Sequence, residues 1–341
     1  MSRFEFNSYC QRRLGKERGL TLVELMIAMV ISVVLMLGSV TMFAQSRSNY
    51  RVNDTLARLQ ENIRFAITTM EPDIRLAKFW GMNGEPAFIN VPGAIAVTCA
   101  CGIDATAWSI QNLGQEVAAA DDNYAAGTPI NPVPCPPNSI ARAASDVLIL
   151  RHASGQIMPA TAGTIQVLTD LMQGQVFSVA VPGGLAPEAQ IHDVVINIYY
   201  VDDGSNLDPT LPSLRRKTLI NGGILQDEEI IAGVENLQIQ YGVDTDADGA
   251  VERYVDSNHA IVTPGAAGFL PGAEIIAIRL WMLVRSNQYE NGYVDVGPYV
   301  RPDANLPAIV PAGRLPAAGN YPQPYRRLQV SKTIFLRNNR S

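Results

Sequence analysis

The sequence of 341 residues is 47% hydrophobic and 17% charged, which provides enough apolar material for a sizeable core and leaves few residues to be disordered. Its formal net charge of −6 argues against a general nucleic-acid binder, because such proteins neutralise phosphates with clustered cations. One large folded domain is the simplest expectation for most of the chain.

Residues 20–43 form an apolar run in which Glu24 is the only ionisable group. At about 1.5 Å per residue, a helix of this length spans a hydrocarbon core of about 30 Å. The sequence therefore predicts a single-pass membrane helix. Basic residues before the run favour a cytoplasmic N-terminus and place the rest of the chain outside the cytoplasm. They are Arg12, Arg13, Lys16 and Arg18.

The carboxylate of Glu24 needs an explanation, because a charge at mid-bilayer costs about 2.5–3.5 kcal/mol. One explanation is an interfacial side chain that extends toward the headgroups. An ordinary secretory signal peptide fits poorly, because its apolar region is about 7–15 residues long and ends at a small-x-small cleavage site. A permanent single-pass anchor is a simpler alternative, but it has no use for a buried Glu.

The segment Gly19-Leu20-Thr21-Leu22-Val23-Glu24 resembles the processing junction of type IV prepilins, with Leu20 where the family usually has Phe. The resemblance implies that a prepilin peptidase cuts between Gly19 and Leu20 on the cytoplasmic face and that Leu20 is then N-methylated. It also implies that Glu24 docks the subunit by neutralising the free N-terminal amine of a neighbouring subunit.

Residues 1–19 would then be a leader peptide, and we exclude them from fold reasoning together with Cys10. The leader contains five basic and two acidic residues. The mature chain is left with 21 basic residues, 30 acidic residues and a net charge of −9, and with three cysteines.

The polar segment after residue 43 carries apolar residues at spacings of 3, 4, 4, 3 and 4, which predicts one buried face of a helix. These residues are Leu56, Leu59, Ile63, Ile67, Met70 and Ile74. The membrane helix is therefore expected to continue through residues 44–80 as an amphipathic half that packs on the external domain. Gly38 is a flexible point in the apolar half, and Pro72 is expected to kink or restart the helix. A short self-associating coiled coil is the alternative.

The end of this predicted helix, residues 73–81, resembles the corresponding part of PilW-type minor pilins and of the J-type pseudopilins of type II secretion.

Residues 81–145 are rich in Gly, Pro, Asn and Ala and are expected to form an irregular excursion. Cys99 and Cys101 with a single further cysteine make a poor zinc site. In an oxidising compartment we expect a disulfide that joins Cys135 to either Cys99 or Cys101.

Apolar and β-branched runs alternate with turn signals after Ser145 and predict mostly hairpin-connected strands. The runs cover residues 146–151, 164–168, 175–181, 193–201, 214–220, 235–242, 273–285 and 327–337. Residues 235–241 alternate strictly and predict one wet face, whereas residues 275–284 predict a central buried strand. Residues 294–324 contain seven prolines and are expected to be loop. Together with the N-terminus, this predicts an α+β, pilin-like fold with a long N-terminal helix on an antiparallel β-sheet.

Enzyme signatures are missing from the sequence, which has no nucleophile elbow, phosphate-binding Gly loop or His-Glu-x-x-His. The histidines His152, His192 and His259 are scattered and are expected to be ordinary core or surface residues. The adjacent acids Glu228 and Glu229 are interpreted as a solvated turn. We therefore expect a protein without catalytic activity.

Residues 244–252, Asp-Thr-Asp-Ala-Asp-Gly-Ala-Val-Glu, repeat the carboxylate spacing of a Ca²⁺ loop. The candidate ligands are Asp244, Asp246, Asp248, the Ala250 carbonyl and Glu252. Val255 occupies the last EF-hand position and cannot bind, so the loop looks more like the shorter Asp-x-Asp-x-Asp-Gly-x-x-Glu loops of extracellular proteins, with Asp256 as a possible late ligand. A solvated acidic turn is the alternative. A bound Ca²⁺ would stiffen the loop.

The preferred interpretation is a minor pilin that takes part in the initiation or assembly of a type IV pilus. The predicted division is a leader (1–19), a transmembrane half of the helix (20–43), an amphipathic half (44–80) and an external β-rich domain (81–341). Expected partners are other major and minor pilins, the prepilin peptidase and the pilus assembly platform. The expected location is the bacterial inner membrane with the domain in the periplasm. The alternatives are a J-type pseudopilin, which the size of the domain disfavours, a membrane-tethered adhesin or receptor domain and an anchored hydrolase.

Overall fold

A long helix, α1 (Leu22–Leu76), begins the chain in the computed structural model, which describes residues 19–83, 85–122, 124, 134–317 and 319–338. The predicted leader, including Cys10, lies outside the described residues except for Gly19. The chain divides into two compact units after Asp54, and each is described separately. The predicted domain boundaries stay predictions, because the membrane and the fibre are not part of the structure.

The first unit contains residues 22–54 of α1. Every residue from 22 to 51 is exposed, although residues 22–43 are almost entirely apolar. Hydroxyl groups within this part donate to backbone carbonyls of the preceding turn, as Ser32 does to Ala28 at 2.7 Å and Ser39 to Leu35 at 2.8 Å. Because these hydroxyls are satisfied within the helix, residues 22–43 carry little polar surface on any face.

The second unit begins with the last turns of α1, whose apolar stripe is buried as predicted. Met70 and Ile74 have no exposed surface and Leu56 is half-buried. The helix does not restart at Pro72, as the sequence suggested, but continues to Leu76. Only one turn follows Pro72, and the buried side chains on either side of it hold that turn in place.

A nine-stranded sheet makes up most of the domain. Its strands are β1 (Ile89–Asn90), β2 (Thr98–Cys99), β3 (Val117–Ala120), β4 (Val147–Ala153), β5 (Gln166–Thr169), β6 (Gly174–Phe177), β7 (Gln190–Asp202), β8 (Ser213–Ile220) and β9 (Ile224–Ala232). The spatial order is β1-β6-β5-β7-β8-β9-β2, and β4 joins β7 with β3 beside it. Neighbours are antiparallel except for the short pairs β1 with β6 and β2 with β9.

A four-stranded antiparallel sheet completes the domain, in the order β11-β10-β12-β13. Its strands are β10 (Val234–Asp244), β11 (Arg253–Asp256), β12 (Glu274–Arg285) and β13 (Arg327–Phe335). The strand β12 is central and nearly all buried, as its apolar sequence predicted. The α+β arrangement of a long helix with largely antiparallel sheets is thus confirmed.

Two hydrophobic cores hold the second unit together. The first lies between the stripe of α1 and both sheets and includes Met70, Leu150, Tyr199, Ile239 and Leu280. The second lies on the other face of the nine-stranded sheet, where Val147 and Ile149 alternate with the helix-facing Leu148 and Leu150 of β4. The excursion after α1 adds β2 and β3 to this sheet, and α2 (Thr106–Ser109) and the loops beside it pack on the second face with Ile95, Ile110 and Leu113.

Two sequence expectations about polar residues were wrong. Neither face of β10 is exposed to solvent. The proline-rich segment covers its polar side, where Glu235 pairs with Arg327 of β13 at 2.6 Å. Glu228 and Glu229 are not a solvated turn but lie in β9, where they pair with the arginines of β8. In both cases the partner of the acid lies on another strand, which the local pattern does not reveal.

Candidate functional site

The N-terminal end of α1 carries the residues predicted for processing and docking. Gly19 and Leu20 precede the helix without regular structure, and Leu20 is 78% exposed. A peptide bond in an exposed extended segment is accessible to a peptidase. The basic residues predicted to precede it lie outside the described residues.

Thr21 and Glu24 cap the start of the helix reciprocally. The Glu24 amide donates to the Thr21 hydroxyl at 3.2 Å, and Glu24 Oε2 accepts from the amide and hydroxyl of Thr21 at 2.9 and 3.0 Å. This capping box satisfies backbone donors that the first helical turn leaves free. Sequence reasoning missed this second role of Glu24, although Thr followed three residues later by Glu is its signature.

Apolar side chains surround this cap and continue up the helix. Leu22, Val30 and Leu37 are 75%, 63% and 62% exposed, and no side chain of the described residues covers them. By length and composition, α1 is long and apolar enough to cross a membrane. A helix that is apolar on all sides requires lipid or other protein around it.

The four acids of the predicted calcium loop meet between β10 and β11. One carboxylate oxygen from each of Asp244, Asp246, Asp248 and Glu252 lies within 4.8 Å of the others. The tight turn depends on Gly249, whose φ of 82° suits a residue without Cβ. Ala250, the predicted carbonyl ligand, lies in the same turn, and its amide donates to Asp248 at 2.7 Å.

Backbone amides of the turn already donate hydrogen bonds to some of these carboxylates. The carboxylate of Asp244 accepts from the amides of Ala247 at 2.7 Å and Gly249 at 2.8 Å, and Glu252 accepts from the amide of Thr245 at 2.6 Å. Burial acts to raise the pKa of Asp244, but these amide donors outweigh it and the pKa is lowered. The loop therefore keeps Asp244 ionised, which suits a cation ligand.

Asp256, the suggested late ligand, does not belong to this loop. In the β10–β11 ladder it lies opposite Gln240, whereas the residues next to the turn, Val243 and Arg253, lie opposite each other. Three residues of strand span about 10 Å, too far for a shared ion. Gln240 instead donates to Asp256 at 3.1 Å.

The cysteines of the excursion form one disulfide, between Cys99 and Cys135, and Cys101 is exposed with a free thiol. The bridge fixes the excursion at β2, within the second core. Of the two pairings open at the sequence level, the structure contains the one with Cys99.

The three histidines do not form a common site. His152 and His192 are buried in β4 and β7, and His259 caps the short helix at residues 260–262. His152 lies 3.8 Å from the carboxylate of Asp73, and the groups of potential metal ligands among the described residues contain no His.

Two families match the chain. Residues 198–338 match the family described as Type IV Pilus-assembly protein W, and residues 14–40 match the Prokaryotic N-terminal methylation motif. A PilW family domain behind a prepilin-type methylation motif is the arrangement of a type IV pilin of the PilW type. A similar solved structure is a type IV-like pilin from Thermus thermophilus, with 18% identity and a TM-score of 0.24, covering 52% of this chain and 85% of that one. No curated protein matches the chain in sequence.

The two matches divide the pilin in a way that agrees with its structure. The methylation motif covers the junction at Gly19 and the exposed apolar part of α1, and the family match covers β8 to β13 with the end of β7. As a type IV pilin the chain is a membrane-anchored protein that takes part in pilus assembly and interacts with other pilins and pilus machinery.

Proposed function

We propose that this pilin is a minor subunit which primes or joins the fibre after a prepilin peptidase cuts between Gly19 and Leu20 and Leu20 is N-methylated. In the membrane its N-terminus faces the cytoplasm and its domain the periplasm, and the assembly platform and other major and minor pilins are its partners. It acts by assembly and not by catalysis.

The observation that carries this proposal is the exposed apolar half of α1 with one acid at its start. The apolar side chains of residues 22–43 are exposed in the described chain, so lipid and then neighbouring helices must cover them. Glu24 is the single charge in residues 20–43.

A neighbour's N-terminal amine is the proposed partner of Glu24. In an apolar environment each of the two charges is costly alone, whereas a pair at close range offsets much of that cost. The capping box holds the Glu24 carboxylate at the first turn of the helix, which is also where cleavage would create the new amine of the same subunit.

The capping box offers a second explanation for Glu24, and two variants separate the two roles. Glu24→Gln keeps a side chain that can complete a capping box but removes the charge, whereas Thr21→Ala removes the hydroxyl partner and keeps the charge. The pilin is expressed with each change, and its amounts in membranes and in sheared fibres are compared by immunoblot.

Docking by charge predicts that Glu24→Gln is processed and inserted normally but falls about tenfold or more in sheared fibres, consistent with losing one buried ion pair. Thr21→Ala should reach the fibres at close to the wild-type level. If Thr21→Ala is lost from fibres as strongly as Glu24→Gln, helix capping explains Glu24 and the docking proposal fails.

We also propose that the loop of Asp244, Asp246, Asp248 and Glu252 binds Ca²⁺ and stiffens the β10–β11 hairpin. Carboxylates at alternate positions repel one another unless a cation lies between them. Among the described groups, Asp244, Asp248 and Glu252 accept hydrogen bonds from the turn, whereas Asp246 contributes no such bond. Asp246→Ala therefore removes a ligand without disturbing the turn.

The test measures Ca²⁺ binding to the full-length pilin in detergent by calorimetry. The wild type should bind, and Asp246→Ala should bind more weakly at this loop. The matched control is Glu188→Ala, an exposed acid outside the loop, which should behave as the wild type does. Equal heats for the wild type and Asp246→Ala leave only a solvated acidic turn.

A further inference from the structure

A second group of acids gathers where the excursion, the β10–β11 hairpin and the proline-rich segment meet. One carboxylate oxygen from each of Asp121, Asp122 and Asp303 lies within 4.8 Å of the others. We propose that this cluster binds a divalent cation with oxygen ligands, for which Ca²⁺ is the probe. Neither the spacing of the sequence nor the family matches assign a site here.

The three acids come from distant parts of the sequence. Asp121 and Asp122 follow β3 directly, and Asp303 lies in the proline-rich segment about 180 residues later. A fourth acid, Asp256, ends β11 and adjoins Asp303 closely enough to share a proton with it. A cation here would join three segments that have few backbone hydrogen bonds to one another.

Two of the carboxylate oxygens are buried without a donor, which distinguishes this cluster from an ordinary acidic surface. Asp303 is 4% exposed; one of its oxygens accepts from the amide of Asn305 at 2.7 Å, and Oδ2 accepts from no amide, hydroxyl or cationic donor among the described residues, so the alternative to a cation here is the proton shared with Asp256. Oδ1 of Asp122 is likewise buried without a partner. An unsatisfied buried carboxylate oxygen is costly, and a cation is the partner that satisfies several such oxygens at once.

The polar groups around the cluster leave its charge largely uncompensated. Ser257 donates to Asp121 at 3.5 Å and Asn258 donates to its other oxygen, so the nearest donors are neutral. Gln238, also neutral, hydrogen-bonds to Asp122. The charge of Arg301 acts on Asp122 as well, but its guanidinium donates to the carbonyls of Pro307 and Ala144 and not to a carboxylate. The charge of Arg301 therefore reduces the repulsion between the carboxylates, but its guanidinium does not take the place of a cation bound between them.

Electrostatics within the cluster agree with this geometry. Burial first, and then the charges of Asp122, Asp303 and Asp256, together raise the pKa of Asp121 to about 6. Burial likewise raises the pKa of Asp122 and of Asp256, so the ionised form of each is disfavoured unless a positive charge lies nearby. His259, near Asp256, is a further nearby group that can carry positive charge.

The spacing of the oxygens suits a calcium ion. Ca²⁺ lies about 2.3–2.6 Å from its oxygen ligands, so two ligands on opposite sides of the ion are about 4.6–5.2 Å apart. Oxygens that all lie within 4.8 Å of one another fit around such an ion without large movements. Water and backbone carbonyls would complete a coordination shell of about 6–8 oxygens.

This cluster is separate from the loop at Asp244, because Asp256 lies about three residues of strand away from that turn. The two acidic groups share no member. The two calcium proposals are therefore independent of each other, and one experiment can test both.

The experiment uses the full-length pilin in detergent, treated with a chelator and then titrated with Ca²⁺ in a calorimeter, with the thermal midpoint measured in parallel. The variants are Asp303→Asn, which preserves shape and the acceptor for Asn305, and Asp246→Ala at the other loop. Asp121→Asn, at the half-exposed side of the cluster, is a second variant in case Asp303→Asn does not fold.

The proposal predicts that Asp303→Asn and Asp121→Asn each weaken Ca²⁺ binding by about tenfold or more and reduce the rise in thermal midpoint. Binding at this cluster should persist in Asp246→Ala. If Asp246→Ala abolishes all binding, the loop binds Ca²⁺ and the present inference is overturned. If Asp303→Asn and Asp121→Asn bind as the wild type does, the cluster holds only a shared proton and the inference is equally overturned.

Discussion

The two parts of α1 both carry apolar residues but have opposite surroundings. From residue 22 to residue 51 every side chain is exposed, including Met29 at 62%. From residue 55 onward the apolar side chains lie on one stripe, and Met70 at its centre is fully buried. One continuous helix thus serves two environments.

The apolar residues are also distributed differently around the helix in the two parts. Residues 22–43 are almost entirely apolar on all faces, which suits lipid or a bundle of identical helices, whereas residues 55–76 have a polar face toward water. No residue of the first part belongs to the hydrophobic core, whereas the buried stripe of the second part forms one side of that core. We therefore expect the first part of the helix to act in assembly and the second part to stabilise the fold of the domain.

A matched pair of methionines tests this division most strongly. Met70→Ala removes a fully buried side chain from the first core and should lower the free energy of unfolding by about 2–5 kcal/mol. Met29→Ala, in the exposed part, should change it by less than about 0.5 kcal/mol.

The measurement is urea unfolding of the full-length pilin in detergent, followed by the fluorescence of the buried Trp80. Similar losses in both variants would contradict the division, because they would mean that the first part also supports the domain.

Periodic patterns in the sequence predicted the elements that depend on local order. The stripe of α1 follows the helical repeat, and Ile63, Ile67 and Met70 are buried where the spacing placed them. The long strands β7, β10, β12 and β13 lie within a few residues of their predicted bounds. Short strands such as β3 and β11 were missed, because four residues give too little pattern to identify a strand.

Partners that lie far apart in sequence were not predictable in this way. The alternation in β10 suggested a wet face, but Glu235 meets Arg327, 92 residues later, in a buried pair. The cluster of Asp121, Asp122 and Asp303 also forms only on folding, since its members belong to separate segments. By contrast the acids at residues 244–252 were recognisable, because one turn contains all of them.

A smaller effect is expected from the polar anchor on the packed part of α1. Asp73 accepts hydrogen bonds from Asn197 at 2.5 Å and from the hydroxyl of Tyr199, and both donors lie on the sheet below the helix. Asp73→Ala leaves these buried donors unpaired and should cost about 1–3 kcal/mol of unfolding free energy.

The control for this variant is Glu61→Ala, an acid on the exposed face of the same part of the helix, which should have little effect. Urea unfolding compares the two. If Asp73→Ala is as stable as the control, the contact between helix and sheet is carried by the apolar stripe alone.

The smallest effect concerns pH and the buried His152 beneath the same part of α1. Burial lowers the pKa of His152, against the opposing influence of its hydrogen bond to Ala153 and the charge of Asp73. The unfolded chain therefore binds a proton at about pH 6.5 that the folded chain does not, and stability falls as the pH drops below that value.

The expected loss attributable to His152 is at most about 1.4 kcal/mol per pH unit below pH 6.5. His152→Gln cannot titrate and should show a shallower decline between pH 7 and pH 5.5 than the wild type. Parallel declines would mean that His152 does not set this dependence.

The central claim is that the exposed part of α1 begins at a processed N-terminus. Mass spectrometry of the N-terminal peptide from the pilin purified from its native membrane tests it most directly. The account predicts a chain that begins at Leu20 with one added methyl group on its amine, and an uncut chain when Gly19 is replaced by Val. A mature chain that still carries residues 1–19, or that begins beyond Glu24, would contradict it.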